Sequence, residues 1–193
     1  MLRALLLLCC LGLPSLALAH EVTDMGRGFL SGFMHPMLGL DHVLAMVAVG
    51  IWGAQLGRPA IWMLPVNFPL VMAFGGVLGV VGVPLPAVEV GIALSALVLG
   101  LLVAMQVRIR LPVAMFVVGI FALCHGHAHG TEIPDAANPG TFALGFVLGT
   151  GLLHTAGILL GLLKEVRGGV QALRAGGGGI ALGGLYYLLA QAF

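Results

Sequence analysis

The stretch GTFALGFVLGTGLLHTAGILLGLL, residues 140–163, contains 24 consecutive residues without an Asp, Glu, Lys or Arg. As an α-helix it would be about 36 Å long, enough to cross the roughly 30 Å hydrocarbon core of a bilayer. Similar apolar runs recur along the 193-residue chain, which is 60% hydrophobic and 8% charged and has a mean hydropathy of +1.14. Because soluble domains carry about 25% charged residues, the composition predicts an all-α membrane protein.

The first 19 residues have the pattern of a signal peptide. Arg3 supplies a positive charge, residues 4–13 are apolar, and Ala17 and Ala19 provide the small residues of a cleavage site. We therefore predict a signal peptide over residues 1–19 and a transmembrane domain over residues 20–193, with an uncleaved first helix as the alternative. Six apolar spans are expected in that domain: 26–56, 60–81, 86–106, 112–130, 140–163 and 168–192.

The charges between the spans predict their orientation. The fourth connection carries Glu132 and Asp135, and the second carries no charge. Because positively charged loops stay in the cytoplasm, we expect both mature termini on the periplasmic side of a bacterial inner membrane. A net charge of +1 offers no basic face for nucleic acid. The basic residues of the first, third and fifth connections are Arg58, Arg108 with Arg110, and Lys164 with Arg167.

A short sequence recurs in two spans. Residues 91–94, Gly-Ile-Ala-Leu in the third span, are repeated as residues 179–182 in the sixth. A repeat of three spans places the two halves of a protein in opposite orientations, as in many transporters. We predict such a 3+3 inverted repeat.

Several ionisable side chains lie within the predicted spans. Each needs a reason, because Asp at the centre of a membrane helix costs at least about 2.5 kcal/mol. They are His35, Asp41 and His42 in the first span, Glu89 in the third, His125, His127, His129 and Glu132 in the fourth, and His154 in the fifth.

Helical spacing places most of these groups on shared faces. His35 and His42 are seven positions apart, so on a regular helix they would differ by roughly 20°. His125, His129 and Glu132 follow an i, i+4, i+7 pattern and would also share one face. His127 lies on the opposite side of that helix.

Asp41 would point about 120° away from the two histidines of its own span if the helix is regular. It could be a metal ligand or a partner that orients an imidazole. Imidazole nitrogens with one or two carboxylates suit nickel, cobalt, zinc or copper, whereas calcium and magnesium prefer oxygen ligands. The pattern therefore predicts a site for a divalent first-row metal ion.

The two histidine segments resemble those of the HupE/UreJ family of nickel/cobalt permeases. The family pattern H-x5-D-H, within the longer HPxxGxDH, is met by His35, Asp41 and His42. The second pattern, FHGxAHGxE, is met by residues 125–132, except that Cys124 stands where the family usually has Phe. The resemblance implies uptake of nickel or cobalt towards the cytoplasm for hydrogenase, urease or cobalamin pathways. It also implies a role for Glu89, since such proteins often carry an acidic residue in the third span.

The predicted function is that of a permease, with a nickel or cobalt ion as the transported substrate and no catalytic residue or resident cofactor. An accessory or sensor protein that holds metal without moving it is one alternative. A metalloenzyme is another, although the chain has no HExxH motif. The expected metal ligands are His35, Asp41, His42, His125, His129, Glu132 and Glu89, with His20 and His154 as further candidates.

Overall fold

The computed structural model describes residues 28–132 and 138–191, and within these ranges the chain forms helices and no strand. The all-α prediction is therefore confirmed for this part of the chain. The predicted signal peptide lies outside it. The helices are α1 (Gly28–Leu38), α2 (Leu40–Leu56), α3 (Ala60–Val80), α4 (Val88–Ala104), α5 (Leu111–Thr131), α6 (Pro139–Gly161) and α7 (Gly169–Ala190), with a 3₁₀ helix, Leu162–Glu165, directly after α6.

Three helices are long and apolar enough to cross a membrane: α3, α5, and α6 with its 3₁₀ extension. The pair α1 and α2 makes a fourth if it forms one span, and α4 is a shorter apolar helix. The exposed face of α3 presents Trp62, Val66, Leu70 and Phe74 at intervals of four residues. A continuous stripe of large exposed apolar side chains is typical of a surface that contacts lipid. The protein is thus a helical membrane protein, while the count of six spans stays a prediction.

The first predicted span is not one continuous helix. α1 and α2 are bent by 81° at Gly39, whose backbone is extended, with φ −88° and ψ 109°. Pro36 lacks the N–H that a regular helix would use. A Cβ at Gly39 would lie 2.8 Å from Nδ1 of His42 and 3.0 Å from Oδ1 of Asp41, so glycine leaves room for that pair. The interpretation that His35 and His42 share a face of a regular helix is therefore wrong.

Glycines bring the helices together in three close pairs: α3 with α5, α4 with α7, and α2 with α6. A Cβ at Gly126 of α5 would overlap the carbonyl oxygen of Met72 on α3, and one at Gly157 of α6 would overlap the carbonyl oxygen of Val47 on α2. Small residues at helix interfaces permit this close approach in lipid. α4 and α7, which carry the recurring Gly-Ile-Ala-Leu, are packed against each other, while the inverted repeat stays a prediction.

The basic loops gather at one end of the helix bundle. Lys164 donates a hydrogen bond from Nζ to the carbonyl oxygen of Ala54 near the end of α2. The indole N–H of Trp52, also near the end of α2, donates to the carbonyl oxygen of Val107 in the loop before α5. Arg58 lies in the loop that follows α2. We call this the basic end.

The acidic groups lie at the opposite end of the bundle. Nε2 of His127, in the last turns of α5, donates to the carbonyl oxygen of Val83 in the loop before α4. The side-chain amide of Gln191, just after α7, donates to the backbone oxygen of Glu89 in the first turn of α4. Glu132 follows the last residue of α5. We call this the acidic end.

Candidate metal site

Three side chains from two helices form a group of metal donors at the acidic end. His35 projects from α1, His129 lies in the last turn of α5, and Glu132 ends that helix. Nε2 of His35 lies 3.0 Å from Nδ1 of His129. Oε2 of Glu132 lies 3.6 Å from the first of these nitrogens and 3.7 Å from the second. We call these three residues, whose donor atoms all lie within 4.8 Å of one another, the outer donor group.

The separations within the outer donor group suit a first-row divalent ion. Two ligands that are each about 2.1 Å from an ion lie about 3.0–3.4 Å apart at ligand–metal–ligand angles of roughly 90–110°. The two nitrogens already have this spacing, and the carboxylate needs to move by only a few tenths of an ångström. The side chain of Glu132 is 55% exposed, whereas that of His129 is 8% exposed. The group is therefore open to ions through its carboxylate.

His42 lies beside the outer donor group, and Asp41 holds its ring. Oδ1 of Asp41 accepts hydrogen bonds from Nδ1 of His42 at 2.8 Å and from the backbone N–H of His42 at 2.9 Å. With the proton on Nδ1, the lone pair is on Nε2, which is buried and has no hydrogen-bond partner in the described part of the chain. A carboxylate behind an imidazole is the usual way to orient a metal-binding histidine. Of the two roles left open for Asp41, the structure favours the orienting one.

His125 extends the cluster of imidazoles deeper into the bundle. The residue is completely buried, and its Nδ1 donates to the carbonyl oxygen of Phe121 at 2.9 Å, one turn earlier. Its Nε2 has no hydrogen-bond partner among the described residues. The ring centroid of His42 lies 4.8 Å from that of His125 and 4.6 Å from that of His129. The four rings therefore form a contiguous histidine row in the order His35, His129, His42, His125.

The other predicted site residues lie apart from the histidine row. Glu89 is exposed in the first turn of α4 and is not part of the outer donor group. His127, which the predicted ligand set omits, points to the loop before α4, where its hydrogen bond is 2.7 Å long. His154 is buried on α6. His20 lies outside the described residues.

Aromatic rings surround the histidines, and sequence reasoning did not identify them. The ring of Phe146 lies 4.5 Å from that of His129, and Phe142 lies 5.6 Å from His35. Both phenylalanines are buried. In a chain that is 60% hydrophobic, a buried Phe has the same sequence pattern as one that faces lipid, so no signal could have distinguished them.

Comparisons with known proteins identify the family. The family model described as HupE / UreJ protein matches residues 7–187. The chain belongs to the HupE/UreJ family. Protein HupE of Rhizobium leguminosarum bv. viciae is 50% identical over 182 residues, which cover 94% of this chain and 95% of the relative. No solved structure matches the chain. The resemblance that the two histidine motifs indicated is thus confirmed, and HupE/UreJ proteins are generally related to nickel and cobalt transport.

Proposed function

We propose that the protein is a secondary permease that carries nickel or cobalt ions from the periplasm to the cytoplasm. The observation on which the proposal rests is the outer donor group, in which two imidazoles and one carboxylate from two helices come within 4.8 Å of one another. Imidazole and carboxylate ligands match borderline divalent ions. Membership of the HupE/UreJ family supports nickel and cobalt among these ions.

The proposal places the chain in the inner membrane with six crossings, of which α1 and α2 together form the first. Basic loops stay in the cytoplasm, so the basic end would face the cytoplasm and the acidic end the periplasm. The gathering of the basic loops at one end supports this orientation. A signal peptide over residues 1–19 would put the mature N-terminus on the same side as the end of α7. Three crossings in each half would form the inverted repeat.

The route of the ion follows the order of the donors. Glu132 attracts the hydrated ion at the acidic end, where its carboxylate is exposed. The ion exchanges water for His35 and Nδ1 of His129, and then moves past that ring to His42 and His125, whose Nε2 atoms have no hydrogen-bond partner among the described residues. Few ligands of mixed type hold an ion less tightly than a closed cage, which permits release.

Two further residues are proposed to collect ions at the periplasmic mouth. Glu89 exposes its carboxylate at the acidic end. Cleavage after Ala19 would make His20 the first residue, with a free amine beside its imidazole. Negative charge and donors at a mouth raise the local concentration of cations. Their substitution should slow uptake at low metal concentration more than at saturation.

Uptake of radioactive nickel and cobalt into proteoliposomes tests the proposed function. Wild-type protein should show saturable uptake, and His35→Ala and Glu132→Ala should abolish most of it at metal concentrations well below saturation of the wild type. His127→Gln is a matched control, because His127 lies on the same helix and contacts a loop carbonyl instead of the outer donor group. Uptake of one radioactive ion in the presence of unlabelled nickel, cobalt or zinc then ranks the three ions by their preference as substrates.

Two results would contradict the permease. Metal bound by the purified protein without net flux would favour an accessory or sensor protein. No bound metal at all would reject the site itself.

A further inference from the structure

His154 is a buried imidazole that the histidine row does not include. It lies on α6 and is 1% exposed. Neither of its ring nitrogens has a hydrogen-bond partner in the described part of the chain. Buried polar side chains are nearly always hydrogen-bonded, because an unpaired polar atom in the interior is costly. An imidazole with both nitrogens unpaired therefore calls for a ligand.

Thr150, one helical turn before His154, is also a buried polar residue whose side chain is unpaired within the described residues. It is completely buried, and its hydroxyl has no partner among the residues described. A helical threonine can satisfy its hydroxyl with the carbonyl one turn back, as Thr155 does with Gly151 at 2.8 Å. Side chains four positions apart lie on the same face of a helix. α6 thus places an unpaired hydroxyl and an unpaired imidazole side by side in the interior.

The neighbouring helix α3 adds a third polar group. Pro69 has no N–H, so the carbonyl of Pro65, four residues earlier, lacks its helical hydrogen bond. The ring of Phe68, three residues after Pro65 on α3, has its centroid 5.2 Å from that of His154, so the turn of α3 that carries the freed carbonyl packs against the imidazole. A nitrogen, a hydroxyl oxygen and a carbonyl oxygen are all acceptable ligands of a first-row divalent ion.

Phe68 contacts both this polar group and the histidine row. Its ring is completely buried. Its centroid lies 5.4 Å from that of His125 and 5.2 Å from that of His154, with steeply inclined planes of 65° and 77°. The ring of Phe68 therefore lies within contact distance of both imidazoles.

His154 lies deeper in the bundle than the histidine row. α6 runs from the acidic end to the basic end, and His154 is fifteen residues after Pro139, or about 22 Å along the axis. His125 is seven residues before Glu132, or about 10 Å from the acidic end by the same rise. His154 therefore lies farther from the acidic end than His125, and His125 lies farther from it than the outer donor group.

We propose that His154, Thr150 and the carbonyl of Pro65 form a second metal-binding site, the inner station, at which the ion stops after it leaves His125. This inference rests on the proposed metal transport and adds the step that follows His125. All three donors are neutral and only one is a nitrogen, so the inner station binds the ion weakly and releases it towards the basic end.

The test separates metal binding at the outer donor group from passage through the inner station. His154→Gln keeps an N–H that can donate to the Pro65 carbonyl but removes the imidazole ligand. Thr150→Val keeps the shape of the side chain and removes the hydroxyl. Thr155→Val is the control, because Thr155 is an exposed threonine on the same helix whose hydroxyl is bonded within that helix.

Equilibrium nickel binding to the purified protein and nickel uptake by proteoliposomes are measured for each variant. We expect His154→Gln to bind nickel within about twofold of wild type while its maximal uptake rate falls at least about tenfold, the pattern of a lost step after binding. Thr150→Val should lower the maximal rate about threefold without a change in binding. Thr155→Val should behave as wild type.

The outcomes keep the two proposals apart. Wild-type uptake by folded His154→Gln would overturn the inner station and leave the permease intact. Absence of uptake by the wild-type protein would overturn the permease itself. If thermal unfolding shows that His154→Gln is not folded, the nearly isosteric Thr150→Val decides, and an unchanged maximal rate in that variant overturns the inner station.

Discussion

Glu132→Gln should weaken nickel binding about 30-fold. The substitution keeps the size of the side chain and removes one negative charge from the outer donor group. Because the side chain is 55% exposed, we treat its field as screened nearly as in water. Two unit charges 4 Å apart then attract by about 1 kcal/mol, and a carboxylate attracts a dication by about 2 kcal/mol. Since about 1.4 kcal/mol corresponds to a tenfold change in affinity, the loss is about 30-fold.

The assay is the dependence of nickel uptake on nickel concentration, with equilibrium binding to the purified protein as a second readout. The nickel concentration that gives half-maximal uptake should rise about 30-fold. The maximal uptake rate should stay close to wild type because the deeper donors are intact. Glu165→Gln is the matched control, since that carboxylate is 71% exposed and pairs with Lys164 at the basic end. A half-saturating concentration within about twofold of wild type for Glu132→Gln would refute the role of the Glu132 carboxylate in attracting the ion.

Three further substitutions test the site and the packing. Asp41→Asn weakens the group that orients His42, so nickel affinity should fall about 10- to 100-fold without a change in unfolding temperature; unchanged affinity would contradict the orienting role. Gly126→Ala would overlap a carbonyl of α3 and should lower the unfolding temperature in detergent, whereas Gly151→Ala, with open space around its Cβ, should not. His127→Gln keeps a donor for the loop before α4 and should leave nickel uptake near wild type; lost uptake in a folded variant would place His127 in the transport route.

The lengths of the helices could be predicted well where the chain marks their ends. The predicted spans 60–81 and 112–130 compare with Ala60–Val80 and Leu111–Thr131 in the structure. Pro, Gly and Arg near these ends provide the boundary signals, since they interrupt long apolar runs. The break at Gly39 has a signal of the same kind, because Pro36 and Gly39 both favour a local distortion of the helix. The 81° angle between α1 and α2 could not be predicted, because spacing along the chain does not encode how two short helices pack against the rest of the bundle.

The arrangement of the donors could be predicted on α5 and not on the first span. α5 is a regular helix, so the i, i+4, i+7 pattern correctly placed His129 and Glu132 on one face. Helical spacing does not predict a shared face across a break in the helix. His35 lies on α1 and His42 lies on α2, and the rings of both pack against the ring of His129. The sequence predicted that His35 and His42 lie close together because they would share a face of one regular helix, and that helix is broken in the structure. Their role as metal ligands stays a prediction.

The negative charge available to the ion decreases with depth. The carboxylate side chain of Glu132 is 55% exposed and that of Asp41 is 24% exposed, whereas the deepest donors, at His125 and His154, are neutral imidazoles with almost no exposure. A buried carboxylate would hold a dication strongly in a medium of low dielectric constant, because Coulombic attraction is weakly screened there. A neutral imidazole supplies a ligand without that attraction, and it costs less to bury than a charge. In the proposed permease, this arrangement would capture ions where water screens the charges and would weaken the attraction where the ion has to keep moving.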